Sequence, residues 1–105
     1  MKIFVDIDET ICLNTPERDY SKAKPIKKNI LKINKLYDDG HNITYWSARG
    51  SGTGLDWNKI TKKQFKKWKV KYHNLSLGQK PIYDLLIDDK VLNIKDINNL
   101  DENIK

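Results

Sequence analysis

Hydrophobic positions along this chain fall into short groups with two different periods. Residues 2–7, KIFVDI, are a run of β-branched and aromatic side chains ending in acid, and they predict a buried strand. Residues 8–24 are polar without a period and read as a loop. Pro25 then opens a helix in its first turn. Along it Ile26, Ile30, Ile33 and Tyr37 recur at helical spacing, with Leu36 beside them, while Lys27, Lys28, Lys32 and Lys35 take the other face. Gly40 stands where helices commonly end. Residues 42–47, NITYWS, predict a second strand, and 48–58, ARGSGTGLDWN, a Gly/Ser loop. A second helix is expected from about Thr61, a good N-cap, with Phe65, Trp68 and Tyr72 on one face. Residues 76–81, SLGQKP, read as a turn. Residues 82–87, IYDLLI, read as a third strand running into Asp88 and Asp89. From Val91 the tail has room for one short strand and one short helix.

Strand, helix, strand, helix, strand predicts an α/β fold with a mainly parallel sheet and crossover helices. A length of 105 residues implies a single domain, 1–105, with no room for a second unit that covers a substrate. No apolar run is long enough for a membrane span. Asp6 interrupts the first apolar run too early for a signal peptide. Cys12, the one cysteine, excludes an internal disulfide framework and a multi-cysteine zinc site. These features predict a soluble cytoplasmic protein. A net charge of +6 invites a nucleic-acid partner. The chain's heavy use of Lys, Ile and Asn reads as coding bias, however, so nucleic acid stays open but is not favoured. Against that bias Arg18 and Arg49, the only arginines among 20 basic residues, stand out.

Parallel α/β sheets bind ligands beyond the carboxyl ends of their strands. The expected strand ends carry Asp6-Ile7-Asp8-Glu9-Thr10, Ser47-Ala48-Arg49 and Asp88-Asp89. That arrangement would gather Asp6, Asp8, Asp88 and Asp89 at one edge. Two like charges 4 Å apart repel by about 4 kcal/mol at an effective dielectric of 20, so such a cluster calls for a divalent cation. Donors that are all oxygen suit Mg²⁺. A carboxylate there can attack phosphorus, and a second can protonate the leaving alcohol and then activate water. Ser47, Thr10 and Lys80 are available to hold the phosphoryl oxygens.

Four ordered strings then resemble one family. DIDET at 6–10 resembles motif one of the haloacid dehalogenase superfamily. Ser47 after ITYW resembles its motif two, Lys80 in GQKP motif three, and Asp88-Asp89 after DLLI motif four. The resemblance covers roughly residues 2–95 and implies a single Rossmann-like, three-layer domain. It implies that Asp6 is the nucleophile and a Mg²⁺ ligand. Asp8 would be the general acid/base, with its backbone carbonyl on the metal. Ser47 and Lys80 would hold the phosphoryl group, Asp88 would ligate Mg²⁺ directly or through water, and Asp89 would assist. The short gap between motifs one and two leaves no large cap, so the site would be open, covered by the 50–58 loop, or covered by a neighbouring subunit. WSARG, the Trp57 and Trp68 region and GQKPIYDLLIDDK are similar to small phosphatases encoded with capsular polysaccharide genes. The expected activity is Mg²⁺-dependent hydrolysis of a small phosphomonoester, a sugar phosphate first, through an aspartyl-phosphate. The alternatives are a nucleotide or polynucleotide 3′/5′-phosphatase and a non-catalytic binding module.

Arg49 has two readings, a bidentate substrate contact or a surface residue, and Arg18 is a weaker candidate for the former. GSGTG at 50–54 lacks the Gly-Lys-Ser/Thr of a phosphate-binding loop and reads as a loop over the site. Trp57 is a lid or a core residue. Phe65, Trp68 and Tyr72 are expected in the core, and Cys12 as a small buried residue. His41 and His73 lack metal-ligand company, and Lys62–Lys71 reads as a solvated helix face.

Overall fold

The computed structural model describes residues 1–17, 19–50 and 56–99. In chain order its elements are β1 (Lys2–Asp6), β2 (Cys12–Leu13), β3 (Lys24–Pro25), α1 (Lys27–Asp38), β4 (Asn42–Ser47), α2 (Asn58–Trp68) and β5 (Asn74–Leu77). Short 3₁₀ segments occupy Tyr20–Lys22 and Ile94–Asn99. The main sheet runs β1-β4-β5, all parallel, with α1 and α2 as the crossovers. Val5 lies beside Tyr45, which lies beside Leu75. This row faces the core, where Val5, Ile43 and Tyr45 are buried with Ile30, Ile33 and Leu36 of α1 and Phe65 of α2. Tyr45 meets Phe65 edge-on at 5.0 Å, and Phe65 meets Tyr72 at 5.2 Å. Because strand side chains alternate, Phe4 and Trp46 share the opposite face, edge to face at 5.5 Å. No helix among the described residues is long and apolar enough to cross a membrane.

The stripe predicted for α1 is observed, but its start is not. Pro25 belongs to β3, which pairs antiparallel with β2 (Cys12↔Pro25). A proline at the edge of a two-strand ribbon sacrifices no ladder bond, and the helix begins two residues later. The stop at Gly40 is as expected. Gly40 has φ +97, its N–H donates to Tyr37 O, and His41 N donates to Leu36 O, the paired pattern of a left-handed helix cap. Asn29 and Asn34 are buried polar residues within the apolar stripe. Asn34 Nδ2 donates to Lys69 O and its Oδ1 accepts from Lys71 N, tying α1 to the segment between α2 and β5.

The second helix starts at Asn58, so Thr61 is not its N-cap. Asp56 Oδ1 instead accepts from Asn58 N, and Thr61 is fully buried inside the first turn. Phe65 is buried, while Trp68 and Tyr72 pack on the core half-buried.

The third strand is the largest correction. It is NLSL at Asn74–Leu77, overlapping the start of what reads as a turn at 76–81, while 82–87 is exposed and forms no strand. The reason is reach. Lys80 Nζ lies 3.0 Å from Asp6 Oδ1, so the chain is held at the carboxyl end of β1 just before Ile82. A parallel strand must start at the opposite end of the sheet, and that return takes roughly a dozen residues where the chain has one, Pro81.

Candidate active site

The carboxyl end of β1 runs into a tight turn. Thr10 N and Ile11 N both donate to Ile7 O, and Glu9 N donates to Cys12 O at 2.8 Å. Glu9 takes φ +63, a left-handed conformation unusual for a residue with a β-carbon. The turn sends Asp6 and Asp8 towards one cavity of about 260 Å³, which Ser47 and Lys80 also line, with Glu9, Asn14, Tyr20 and Tyr83 around them. Six sequence-derived candidates thus meet here, counting Arg49 in the cavity wall and Thr10, whose Oγ1 donates to Asp6 Oδ2 at 3.5 Å.

Each carboxylate has its own cation. Asp8 is gripped in two-pronged fashion by Arg49, Nη2 to Oδ1 at 2.8 Å and Nε to Oδ2 at 3.0 Å. Asn14 Nδ2 donates to Oδ1 at 2.9 Å and Ser47 Oγ to Oδ2 at 3.3 Å. Burial pushes the Asp8 carboxyl up, but the Arg49 hydrogen bonds and charge outweigh it and hold the group below the usual carboxylate range. Asp6 meets Lys80 at 3.0 Å, and that ammonium lies 5.4 Å from both the Trp46 and Tyr83 rings. The Asp6 side chain is 36% exposed, against 18% for Asp8.

Arg49 is not a surface residue, although it lines the cavity beside Asp8. Only 1% of it is exposed. Its Nη1 donates to Thr61 Oγ1 at 2.9 Å and Gln64 Oε1 at 2.8 Å, and its guanidinium lies 4.7 Å from the Tyr20 ring centre. Gln64 Nε2 in turn reaches Tyr20 O. A planar fork with several donors can satisfy all of these partners while buried, which an ammonium cannot. Asn14, Tyr20, Thr61 and Gln64 are therefore site residues that the sequence reading passed over. One signal was present: Thr61, Gln64, Phe65 and Trp68 follow the i, i+3, i+4, i+7 pattern of a buried stripe, with two uncharged polar residues in a lysine-rich helix.

Asp88 and Asp89 do not join Asp6 and Asp8. They lie in an exposed turn, where Lys90 N donates to Asp88 Oδ1 and holds that carboxyl below its ordinary range. No group of three or more acidic, histidine or cysteine side chains able to hold a metal ion occurs among the described residues. The cavity offers the right kind of donor for Mg²⁺, carboxylate oxygen, but from Asp6, Asp8 and the rim residue Glu9, without Asp88 and Asp89. Arg18 and residues 51–55 of the expected covering loop lie outside the described residues. Trp57 stands at the start of α2, edge-on to Tyr20 at 5.0 Å. Cys12 is fully buried, and burial together with Asp8 pushes its thiol up to about 12. His73 Nδ1 accepts from Ile43 N, a fold contact on the far side of the sheet's hydrogen-bond ladder.

No family model matches this chain. No curated protein matches it either. The crystal structure of a structural-genomics target from Vibrio cholerae superimposes with a TM-score of 0.75 at 24% identity, covering 99% of this chain and 98% of that one. The likeness is one of fold: a small α/β domain with a parallel sheet.

Proposed function

We propose that the chain is a phosphatase of the haloacid dehalogenase type, without a large cap, acting on a small phosphomonoester. The observation that carries this reading is the pair of carboxylates two residues apart at a strand end, opening on one cavity with a serine and a lysine. In this reading the chain is a single Rossmann-like, three-layer domain.

Asp6, the more exposed carboxylate, attacks phosphorus and forms an aspartyl-phosphate. Lys80, beside Asp6, and Ser47 hold the phosphoryl oxygens as charge develops. Asp8, ionised and oriented by Arg49, is set as a base that takes a proton from the attacking water in the second half-reaction. In the first half it must carry a proton to the leaving oxygen, which Arg49 opposes, so leaving groups of low pKa suit this site best. Mg²⁺ enters the proposal as an ion that the Asp6 and Asp8 oxygens would hold, supplying positive charge to the transferred group. Because Asp88 and Asp89 stand outside the cavity, no step here is routed through the ion.

The test is phosphate release, with Mg²⁺ present, from p-nitrophenyl phosphate, sugar phosphates, nucleotides and 3′-phosphorylated oligonucleotides. Asp6→Asn should abolish release while the melting curve stays that of a folded protein. Release from none of them would leave the binding module as the reading, and release from oligonucleotides alone the polynucleotide phosphatase.

A further inference from the structure

The turn after β1 holds a third acid for which the scheme above has no use. Glu9 sits at φ +63, where a residue with a β-carbon is strained and glycine is not. The backbone is held in that conformation from both sides, by the Thr10 and Ile11 bonds to Ile7 O and by its own N–H to Cys12 O. Glycine would meet the same hydrogen bonds without strain, so the glutamate side chain is carried at a cost to the fold. It does little for that fold in return. Glu9 is exposed, and its one hydrogen-bonded side-chain contact among the described residues is a long one, Asn14 N to Oε1 at 3.4 Å. It does line the cavity.

Charge distinguishes it from its neighbours. Asp6 is answered by Lys80 and Asp8 by Arg49, whereas no basic group among the described residues lies within ion-pair distance of Glu9. Among the described residues the cavity therefore has a phosphoryl end, where a cation meets Asp6, and a rim at Glu9 with no ion pair. An acidic rim accepts hydrogen bonds from hydroxyl and amino groups and repels a second anion.

We propose that Glu9 selects the leaving group: hydroxyl- or amino-bearing monophosphates are accepted, and substrates with a second anionic group are rejected. The proposal rests on the phosphatase reading and deepens it, since it separates sugar monophosphates from bisphosphates and oligonucleotide ends.

Glucose 6-phosphate and fructose 1,6-bisphosphate are the probes. Their kcat/KM values are compared in wild type, Glu9→Gln and Glu9→Gly. Glutamine keeps the acceptor for Asn14 N and the backbone strain, and loses only the charge. The ratio of bisphosphate to monophosphate efficiency should rise about tenfold in both variants, the order expected for removing one nearby like charge. Glu9→Gly should also melt higher, because the strain goes with the side chain. Binding of the same two probes to Asp6→Asn protein, with and without Glu9→Gln, gives the same comparison without turnover. A ratio that stays within twofold, in protein that hydrolyses or binds both probes, overturns the Glu9 assignment alone. Neither binding nor hydrolysis of either probe overturns the Glu9 assignment, while the phosphatase reading stands or falls with p-nitrophenyl phosphate and the other substrates named above.

Discussion

The two carboxylates at the end of β1 are two residues apart and live in different surroundings. Asp8 and Arg49 form a two-pronged pair whose side chains are 18% and 0% exposed, and the arginine is further clamped by Thr61 and Gln64. Asp6 and Lys80 meet at one oxygen, at 36% and 9% exposure. The first pair is the more deeply buried and joins the motif turn to α2, with Asp8 and Arg49 both in the cavity wall. The second faces the cavity, where the Asp6 side chain is twice as exposed as that of Asp8. A nucleophile has to reach its substrate, whereas a proton-transfer group has to be held, and the difference in burial follows that division of labour.

The comparison breaks most visibly in catalysis. Under the proposed chemistry Asp6→Asn removes all phosphate release without unfolding the chain, since asparagine keeps the side chain's shape and an oxygen that accepts from Thr10; calorimetry and a phosphate assay on one preparation check both halves. Next comes stability. Arg49→Met leaves Asp8 buried without its cation and should cost about 3–5 kcal/mol. Lys80→Met, at the more exposed pair, should cost less than about 1 kcal/mol. Urea midpoints of the two variants measure the gap directly, and equal losses would erase the distinction drawn above.

Magnesium sharpens the picture further. If Asp6 and Asp8 hold the ion, Mg²⁺ at a hundred times its dissociation constant stabilises the fold by about 2.7 kcal/mol. Asp6→Asn should remove that gain and Asp88→Asn should leave it, because Asp88 stands outside the cavity. Loss of the gain in Asp88→Asn would mean that the 82–91 segment folds back onto the site. The smallest effect concerns pH. Arg49 depresses the Asp8 carboxyl below 3.8, so the pair's contribution is present above that value and is lost as pH falls through the lower folded one. In Arg49→Met burial dominates and the sign reverses. Urea midpoints followed from neutral into strongly acid solution should fall more steeply for wild type than for the variant.

Much of this arrangement could be read from residue order. The apolar run of β1 and the acids that end it, the stripe of α1 with its stop at Gly40, β4 with Ser47 at its end, and the aromatic face of α2 all follow from periodicity and local backbone preference, which act within a few residues. Asp6, Asp8 and Ser47 were legible for the same reason: strand ends place side chains at one edge of a parallel sheet, whereas Lys80, in an expected turn, stood out through the motif it resembles. Three things were not legible, and each depends on partners distant in sequence. NLSL is too short and too polar to read as a strand, and becomes one because β4 offers it a parallel edge. IYDLLI has the composition of a strand, yet the Asp6–Lys80 contact leaves it no way to reach the sheet in register, and Asp88 and Asp89 stay out with it. Arg49 stood out by its rarity, but whether a guanidinium meets a ligand or a carboxylate depends on what is folded over it. Thr61, Gln64 and Tyr20 arrive from 12, 15 and 29 positions away to close that space. Local order thus determined which groups stand at the sheet's edge. Tertiary packing decided which of them are paired, which are buried and which are left facing the cavity, because burial and charge compensation are properties of the neighbours and not of the residue.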